Sequence, residues 1–366
     1  MQATPPFMRQ ALGLAARAVG VSDPNPRVGC VIVAADGHTV LGTGHTQPAG
    51  EAHAEAMALR EAAAHGRSVE GATVWVTLEP CAHHGRTPPC CDALIAAKVG
   101  KVVAALPDPN PLVAGEGLQR LRAAGIAVET GPGEAEARDL NVGFFSRMQR
   151  GLPWVRMKIA ASLDGRTALE SGASQWITSE AARTDGHAWR ARASAVLTGI
   201  GTVMEDDPRL DVRHVAVRRQ PLAVIVDSRL ETPTAAKMFI EGRPLLVYAA
   251  VPDAARRGSL EKAGATVVEM PGPNGKVDLA ALLRDLARRE VNEVHVEAGH
   301  KLNGSLLREG LVDELLVYLA PKLLGPGRDM ANIGPLAQLS QALPLEFTSI
   351  EAIGPDLRIR ALVKRP

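Results

Sequence analysis

The sequence predicts two α/β domains in series, and three observations lead there. At about 150 residues per domain, a chain of 366 residues divides in two. Both halves alternate short apolar runs with stretches of helical period, which is the signature of a sheet flanked by helices. The alternation breaks at Arg150-Gly-Leu-Pro153, after one expected helix and before one expected strand, giving domains of 1–150 and 151–366.

The chain opens on Pro5-Pro-Phe-Met-Arg-Gln-Ala-Leu-Gly-Leu-Ala-Ala-Arg-Ala18. Arginines interrupt what would be the apolar stretch of a signal, so an amphipathic helix is expected instead. Apolar, β-branched runs such as Val28-Gly-Cys-Val-Ile-Val33 predict strands over 28–34, 39–44, 72–78, 101–106 and 126–129. Helical spacing predicts helices over 52–64, 89–98, 117–124 and 134–149, the second of them entered through Pro88 and Pro89. The second half repeats the alternation without any internal repeat. Its strands are expected over 154–160, 195–197, 222–227, 245–249, 266–269, 293–298 and 314–320, and its helices over 179–192, 279–290 and 305–309.

Composition narrows the function. A net charge of +1 with 22% charged residues offers no basic field for a nucleic-acid backbone. Aromatic residues make up 3%, leaving few platforms for stacked bases. No apolar run approaches the roughly 18 residues that cross a bilayer. A small-molecule substrate is therefore expected, with no nucleic-acid or membrane partner.

Chemistry concentrates in His53-Ala-Glu55 and Thr77-Leu-Glu-Pro-Cys81, followed by Cys90 and Cys91. One imidazole, two or three thiols and a carboxylate not needed as a ligand are the parts of a catalytic zinc site with an open position. Zinc lowers the pKa of a bound water from about 15.7 to about 7, and a glutamate two residues past the histidine can shuttle protons. His-x-Glu followed by Pro-Cys and a further thiol is the layout of zinc deaminases acting on nucleobases. The spacing departs from it: His84 stands three residues after Cys81, so a longer ligand loop is required. Disulfides typically stabilise by about 2 to 4 kcal/mol, whereas structural zinc in small peptides reaches roughly 10 to 16, so clustered thiols beside a histidine favour metal. Reduced thiols at a metal site suggest the cytoplasm. Cys30, inside an apolar run, reads as a small buried hydrophobe. Adjacent helical residues point about 100° apart, so only one of Cys90 and Cys91 can face the ion, and spacing does not choose between them.

Longer strings carry a resemblance. Asn25-Pro-Arg-Val-Gly29, His53-Ala-Glu55, Thr77-Leu-Glu-Pro-Cys81, His83-His-Gly-Arg-Thr-Pro-Pro-Cys90 and Asp108-Pro-Asn-Pro-Leu-Val-Ala-Gly115 resemble the deaminase half of the bifunctional riboflavin-biosynthesis deaminase-reductases. The likeness continues through Lys158, Ala161-Ser-Leu-Asp-Gly-Arg-Thr167, Ser174-Gln-Trp-Ile-Thr178 and Glu205-Asp-Asp-Pro208, covering nearly the whole chain. It implies a cytidine-deaminase-like α/β/α domain with a mixed sheet, then a dihydrofolate-reductase-like α/β domain. His53, Cys81 and Cys90 would hold one zinc ion, and Glu55 would carry the proton. Asn25, His45, His83, Asp108 and Asn110 would hold the pyrimidine and its ribose phosphate, with Arg86 at the anionic end.

For the second half the resemblance implies NADPH, although no G-x-G-x-x-G fingerprint is present. Gly199-Ile-Gly-Thr202 and Gly299-His-Lys-Leu-Asn-Gly304 are glycine-rich turns after apolar strands, and backbone amides there suit a pyrophosphate. Ala160, Trp176, Thr202, Asp206 and Ser228 are the implied cofactor contacts, together with the loop of Gly299, His300, Lys301, Leu302, Asn303, Gly304 and Ser305. The family often has proline and threonine where this chain has His300-Lys301. Lys158, Ser174, Arg190, Leu210, Arg213 and Glu297 are the implied substrate contacts. Arg190 and Arg213 can clamp a sugar phosphate, while Lys158, Asp206 and Glu297 are candidate proton donors or orienters. A homo-oligomer, dimer or tetramer, is expected. Two other readings fit the zinc motif alone: a deaminase of a free base, nucleoside or tRNA adenosine, and a structural zinc module.

Overall fold

The computed structural model describes residues 3–83, 88–110 and 114–364, and the chain divides into two compact units, 1–151 and 152–366.

The first unit opens on helix α1 (Pro6–Ala16), which starts with proline at its first position and buries Met8, Ala11, Leu12 and Ala15. Strands β1 (Gly29–Val33) and β2 (Val40–His45) precede helix α2 (Ala54–Ala64). Next come β3 (Thr73–Val76), α3 (Cys90–Ala96), β4 (Lys101–Ala104), α4 (Glu116–Ala123), β5 (Ala127–Thr130), α5 (Glu134–Leu140) and α6 (Val142–Arg150). The sheet order is β2-β1-β3-β4-β5. β1 runs antiparallel to both its neighbours, and β3, β4 and β5 run parallel, so the sheet is mixed. Helix α2 lies directly on β2 because Gly42 and Gly44 have no side chains there: a Cβ at either would stand 2.2 Å from the carbonyl oxygen of Ala58 or Ala54. That close approach sets where the start of α2 points.

The helix expected over 134–149 is two helices. Asn141 breaks it: its Oδ1 accepts the Arg27 backbone N–H at 2.7 Å, and its Nδ2 donates to the carbonyls of Arg27 and Ala137. A side chain that satisfies the backbone of a distant strand entry competes with helix continuation.

The second unit contains β6 (Trp154–Ser162), β7 (Arg166–Leu169), α7 (Glu180–Arg192), β8 (Ala195–Gly199), α8 (Ile200–Asp206), β9 (Leu222–Val226), β10 (Leu245–Ala249) and α9 (Ala254–Lys262). It continues with β11 (Ala265–Glu269), α10 (Leu279–Arg288), β12 (Glu293–Val296), α11 (His300–Arg308), β13 (Glu314–Ala320), β14 (Gly327–Asp329), β15 (Leu345–Ile353) and β16 (Asp356–Val363). Nine strands form one sheet in the order β11-β10-β9-β8-β12-β6-β13-β16-β15. The strands from β11 to β13 run parallel, and the β15–β16 hairpin closes one edge antiparallel. β7 and β14 make a separate two-stranded ribbon.

Four strands, β7, β14, β15 and β16, escape the sequence reading. β15 is exposed along nearly its whole length, so it shows no buried face and no clear alternation. Helix α11 begins at His300, five residues before the expected start, because Gly299 takes an extended backbone as its N-cap.

Sheet and helix α7 enclose a charged layer. Arg156 on β6 is fully buried, 2.8 Å from Glu293 on β12 and 2.8 Å from Glu314 on β13, and its guanidinium lies 4.6 Å from the centre of the Trp189 ring. Glu293 also takes Arg192, and Glu314 also takes Arg360. Each buried charge is thus paired, which is the condition under which burial is tolerated.

Candidate active sites

In the first unit two helix starts meet one strand end. His53 is the N-cap of α2, Glu55 lies in that helix's first turn, and Cys90 opens α3. Cys81 follows β3 in the connection between them. One ligand atom each from His53, Cys81 and Cys90 lies within 4.8 Å of the others. His53 Nδ1 is 3.5 Å from Cys81 Sγ and 3.4 Å from Cys90 Sγ. Zinc bonds of about 2.3 Å to sulfur and about 2.0 Å to nitrogen, set at tetrahedral angles, put the two ligand atoms about 3.5 Å apart. The donor set therefore fits zinc. The Cys90 backbone N–H adds a bond to Cys81 Sγ at 3.3 Å.

The ionisation of the cluster agrees with a cation site. The Cys90 side chain, together with the His53 bond and despite burial, lowers the Cys81 thiol to about 4. The bond to Cys81 raises His53, and the separate bond between Cys81 and Cys90 raises Cys90, with burial adding to it. The three groups share protons where a metal would displace them. Both helix N-termini favour the negative charge. Glu55 is 3% exposed, and burial first, then the Cys81 charge, raises it to about 7.

Cys91 faces elsewhere. Its Sγ is 3.8 Å from Asp92 Oδ1, and burial raises its thiol to about 11. Cys30 is fully buried in β1.

One buried carboxylate escaped the sequence reading. Glu79, 4% exposed, accepts the backbone N–H groups of Asp108 and Gly115 at 3.0 Å and of Leu118 at 3.2 Å. It ties the segment after β4 to the Cys81 loop. Gly117 permits this, since a Cβ there would lie 2.0 Å from the Pro80 carbonyl. Asp108 accepts the Asn110 N–H at 2.8 Å and is raised to about 6, chiefly by burial, with Glu79, His83 and Cys81 among the charges it feels. Asn25 sits in a turn closed by Ser22, whose carbonyl accepts the Asn25 N–H. His45 ends β2 and lines a shallow hollow with Arg17 and Arg60. Arg86 lies outside the described residues.

The second unit holds a cavity of about 640 Å³. Lys158 and Ala160 reach it from β6, Ser174 and Trp176 from the segment before α7, and Arg190 from α7 itself. Thr202 and Asp206 on α8, then Leu210 and Arg213, form another wall. Glu297, Gly299, His300 and Asn303 complete the set. Ser228, Lys301, Leu302, Gly304 and Ser305 do not line it. Ser228 Oγ accepts the Val277 N–H, Leu302 packs under Gly199, and Gly304 lies against the Asn332 backbone. The expected loop over 299–305 is in fact the first two turns of α11, whose N-terminal amides face outward from Gly299.

Glu297 is the electrostatic centre of the cavity. Arg190 Nε and Nη2 both donate to it, the latter at 2.9 Å, and Lys158 Nζ is 3.5 Å away. Burial alone would raise its carboxyl, but Arg190 and Lys158 outweigh burial and hold it well below the usual range. Arg190 Nη1 donates to the Asp211 carbonyl at 3.0 Å. Its guanidinium is thus largely spent on protein, and the two-arginine clamp expected for a phosphate rests on Arg213, which is ion-paired with Asp211 and 45% exposed. Burial raises Asp206 above the usual aspartate range. Arg243 braces this wall, donating to the carbonyls of Pro221, Arg209 and Leu210.

Comparison with known proteins bears on both units. Residues 1–106 match the cytidine and deoxycytidylate deaminase zinc-binding region, and residues 153–359 match the RibD C-terminal domain. Fold and ligand cluster together define a zinc-dependent deaminase joined to a reductase. The chain is 46% identical over 360 residues to riboflavin biosynthesis protein RibD of Escherichia coli, covering 96% of this chain and 97% of that one. It is 39% identical over 353 residues to the RibD of Aquifex aeolicus, covering 96% of each. Among solved structures it is similar to Acinetobacter baumannii RibD, at 42% identity and a TM-score of 0.88 over 98% of both chains. It is also similar to the diaminohydroxyphosphoribosylaminopyrimidine deaminase/5-amino-6-(5-phosphoribosylamino)uracil reductase of Thermotoga maritima, at 32% identity and a TM-score of 0.87 over 98% of both. The chain belongs to the RibD family, the bifunctional deaminase-reductases of riboflavin biosynthesis. Membership sets its cofactors, a zinc ion for the deaminase and NADPH for the reductase. Among the described residues, no helix is long and apolar enough to cross a membrane.

Proposed function

We propose that residues 1–150 hydrolyse the 2-amino group of 2,5-diamino-6-(5-phosphoribosylamino)pyrimidin-4(3H)-one, and that residues 151–366 reduce the ribosyl chain of the resulting uracil to ribityl. The observation that carries this reading is the meeting of His53, Cys81 and Cys90 within 4.8 Å beside a buried Glu55, in a chain with a second charged cavity. Zinc, when bound by those three side chains, supplies a Lewis acid that brings a water's pKa near 7. Glu55 takes the proton from water at its carboxylate and returns it to the leaving nitrogen, so that ammonia departs. Asp108 and Asn110, set by Glu79, orient the ring, with His83, His45 and Asn25 as further contacts.

NADPH, when bound along Ala160, Trp176, Thr202, Asp206 and the start of α11, with Ser228 as a contact outside the cavity lining, would supply the hydride. Glu297, ionised between Arg190 and Lys158, acts as an acceptor that orients both. Lys158 and Asp206 remain able to deliver a proton as the glycosylamine opens. Ser174, Leu210 and Arg213 position the sugar phosphate. Association into a dimer or tetramer is supported by apolar side chains on the edge strand β15, where Phe347 is 63% and Ile350 55% exposed, a face that pairing would cover. A cytoplasmic location agrees with four free cysteines.

One experiment tests the whole reading. The pyrimidine phosphate is incubated with the zinc-loaded chain, with and without NADPH, following ammonia and nicotinamide absorbance separately. Ammonia should appear in both arms and NADPH oxidation only after it. NADPH consumption without ammonia, or ammonia from free nucleosides alone, would remove the proposal.

A further inference from the structure

The reductase cavity contains a buried histidine that the mechanism above leaves idle. His187 lies on α7, three residues before Arg190, lines the cavity and is 6% exposed. Its Nδ1 accepts the backbone N–H of Arg213 at 3.3 Å. A backbone amide can only donate, so Nδ1 carries no proton and the neutral ring must carry it on Nε2. Among the described residues, no acceptor takes that Nε2–H, and the atom is not sealed in the protein.

Two guanidinium groups and a second imidazole stand around the ring, with Glu297 and Asp211 as the arginines' partners. Arg213 and His214 follow each other in the chain, and the His214 ring stands 4.5 Å away at 70°. Arg190 is one turn further along α7. Burial first, then Arg190, Arg213 and His214, hold the imidazole down at about 4, against a weaker opposite pull from Glu297. A neutral donor therefore stands beside two guanidinium groups, on the wall of the cavity that all three line. That arrangement suits a multiply charged oxyanion, which needs several donors where Arg190 already commits Nε, Nη1 and Nη2 bonds to Glu297 and Asp211.

We infer that His187 is a further substrate-binding residue of the reductase: Nδ1 sets the backbone of Arg213, and Nε2–H donates to a phosphoryl oxygen of the sugar phosphate. This rests on the placement of that phosphate at Arg213 under the proposed function.

The test uses two amide replacements in the full-length, zinc-loaded chain. In His187→Asn the side-chain oxygen can still meet the Arg213 N–H, but the outer donor is gone. In His187→Gln the amide reaches the outer position and keeps a donor there. Reductase KM is measured with the phosphorylated uracil and with its dephosphorylated analogue. His187→Asn should raise KM for the phosphorylated substrate about tenfold, the size of one hydrogen bond to a charged group. KM for the analogue and for NADPH should hold within about twofold, and His187→Gln should recover to within about threefold of the parent. An equal rise for both substrates, or a glutamine variant as impaired as the asparagine one, makes His187 a packing residue and overturns the inference.

Arg213→Gln is run alongside. If it also fails to distinguish the two substrates, the phosphate reading itself is wrong; if it distinguishes them and His187→Asn does not, only the role of His187 falls. Should the histidine variants not fold, ¹⁵N-histidine spectra of the parent protein decide. Inorganic phosphate should shift the His187 Nε2 signal, and competitive inhibition by phosphate with both ring nitrogens unmoved would refute the assignment.

Discussion

In the first domain one imidazole and two thiols, all of them cation-seeking groups, stand 3.4 to 3.5 Å apart around His53 Nδ1, whereas in the second the Glu297 carboxylate already lies between Arg190 and Lys158. The first cluster shares protons among like groups and is completed by an ion. The second pairs opposite charges and is complete in the protein alone. Helix N-termini serve both, bringing His53 and Cys90 to the metal position and Gly299 to the cavity wall. The difference teaches that removing metal should unmake one site and leave the other standing.

The largest expected effect separates the two chemistries. Glu55→Gln should lower deaminase kcat by roughly 10² to 10⁴, with zinc content and reductase rate unchanged; joint loss of both activities would break the division. Next in size is the choice of thiol. Cys90→Ser should drop bound zinc to under about a tenth of one per chain, while Cys91→Ala keeps it, as metal analysis of the purified variants will read. Equal zinc in both variants would mean that Cys90 is not a ligand.

The smallest effect sharpens the electrostatic side. His187 stays neutral down to about 4 in the fold, against an ordinary 6.5, so the unfolded chain binds the extra proton between those values and stability falls as pH drops through that window. Glu297 has a depressed folded value, so its contribution holds above 4.5 and is lost as acid reaches the folded pKa. Amide exchange in α7 and β12 of the full chain, corrected for intrinsic rates, should accelerate by roughly tenfold from pH 6.5 to 4. Glu297→Gln should flatten the part below 4.5; no acceleration in the parent would contradict the buried-charge account.

Much of this was legible without coordinates. His53, Glu55 and Cys81 could be picked out because ligand types at helix and strand ends follow local spacing, and both α/β halves followed from alternating apolar periods. The exposed strand β15 could not be seen, since a strand with no buried face leaves no alternation. Glu79 stood in the very motif that was read, yet its partners Asp108, Gly115 and Leu118 lie about thirty or more residues on.

The sequence by itself determined which side chains could bind metal and where the strands from β1 to β13 other than β7, and most of the helices, would run, because those depend on neighbours three or four residues away. Only the tertiary structure decided that Cys90 and not Cys91 turns to His53, that Arg27 breaks the helix at Asn141 from 114 residues away, and that Arg190 is held by Glu297 across 107. Those partnerships depend on strand order, β2-β1-β3-β4-β5 for the first two and β8 beside β12 beside β6 for the last. Strand order is chosen by burying whole faces at once, a condition that no local period records.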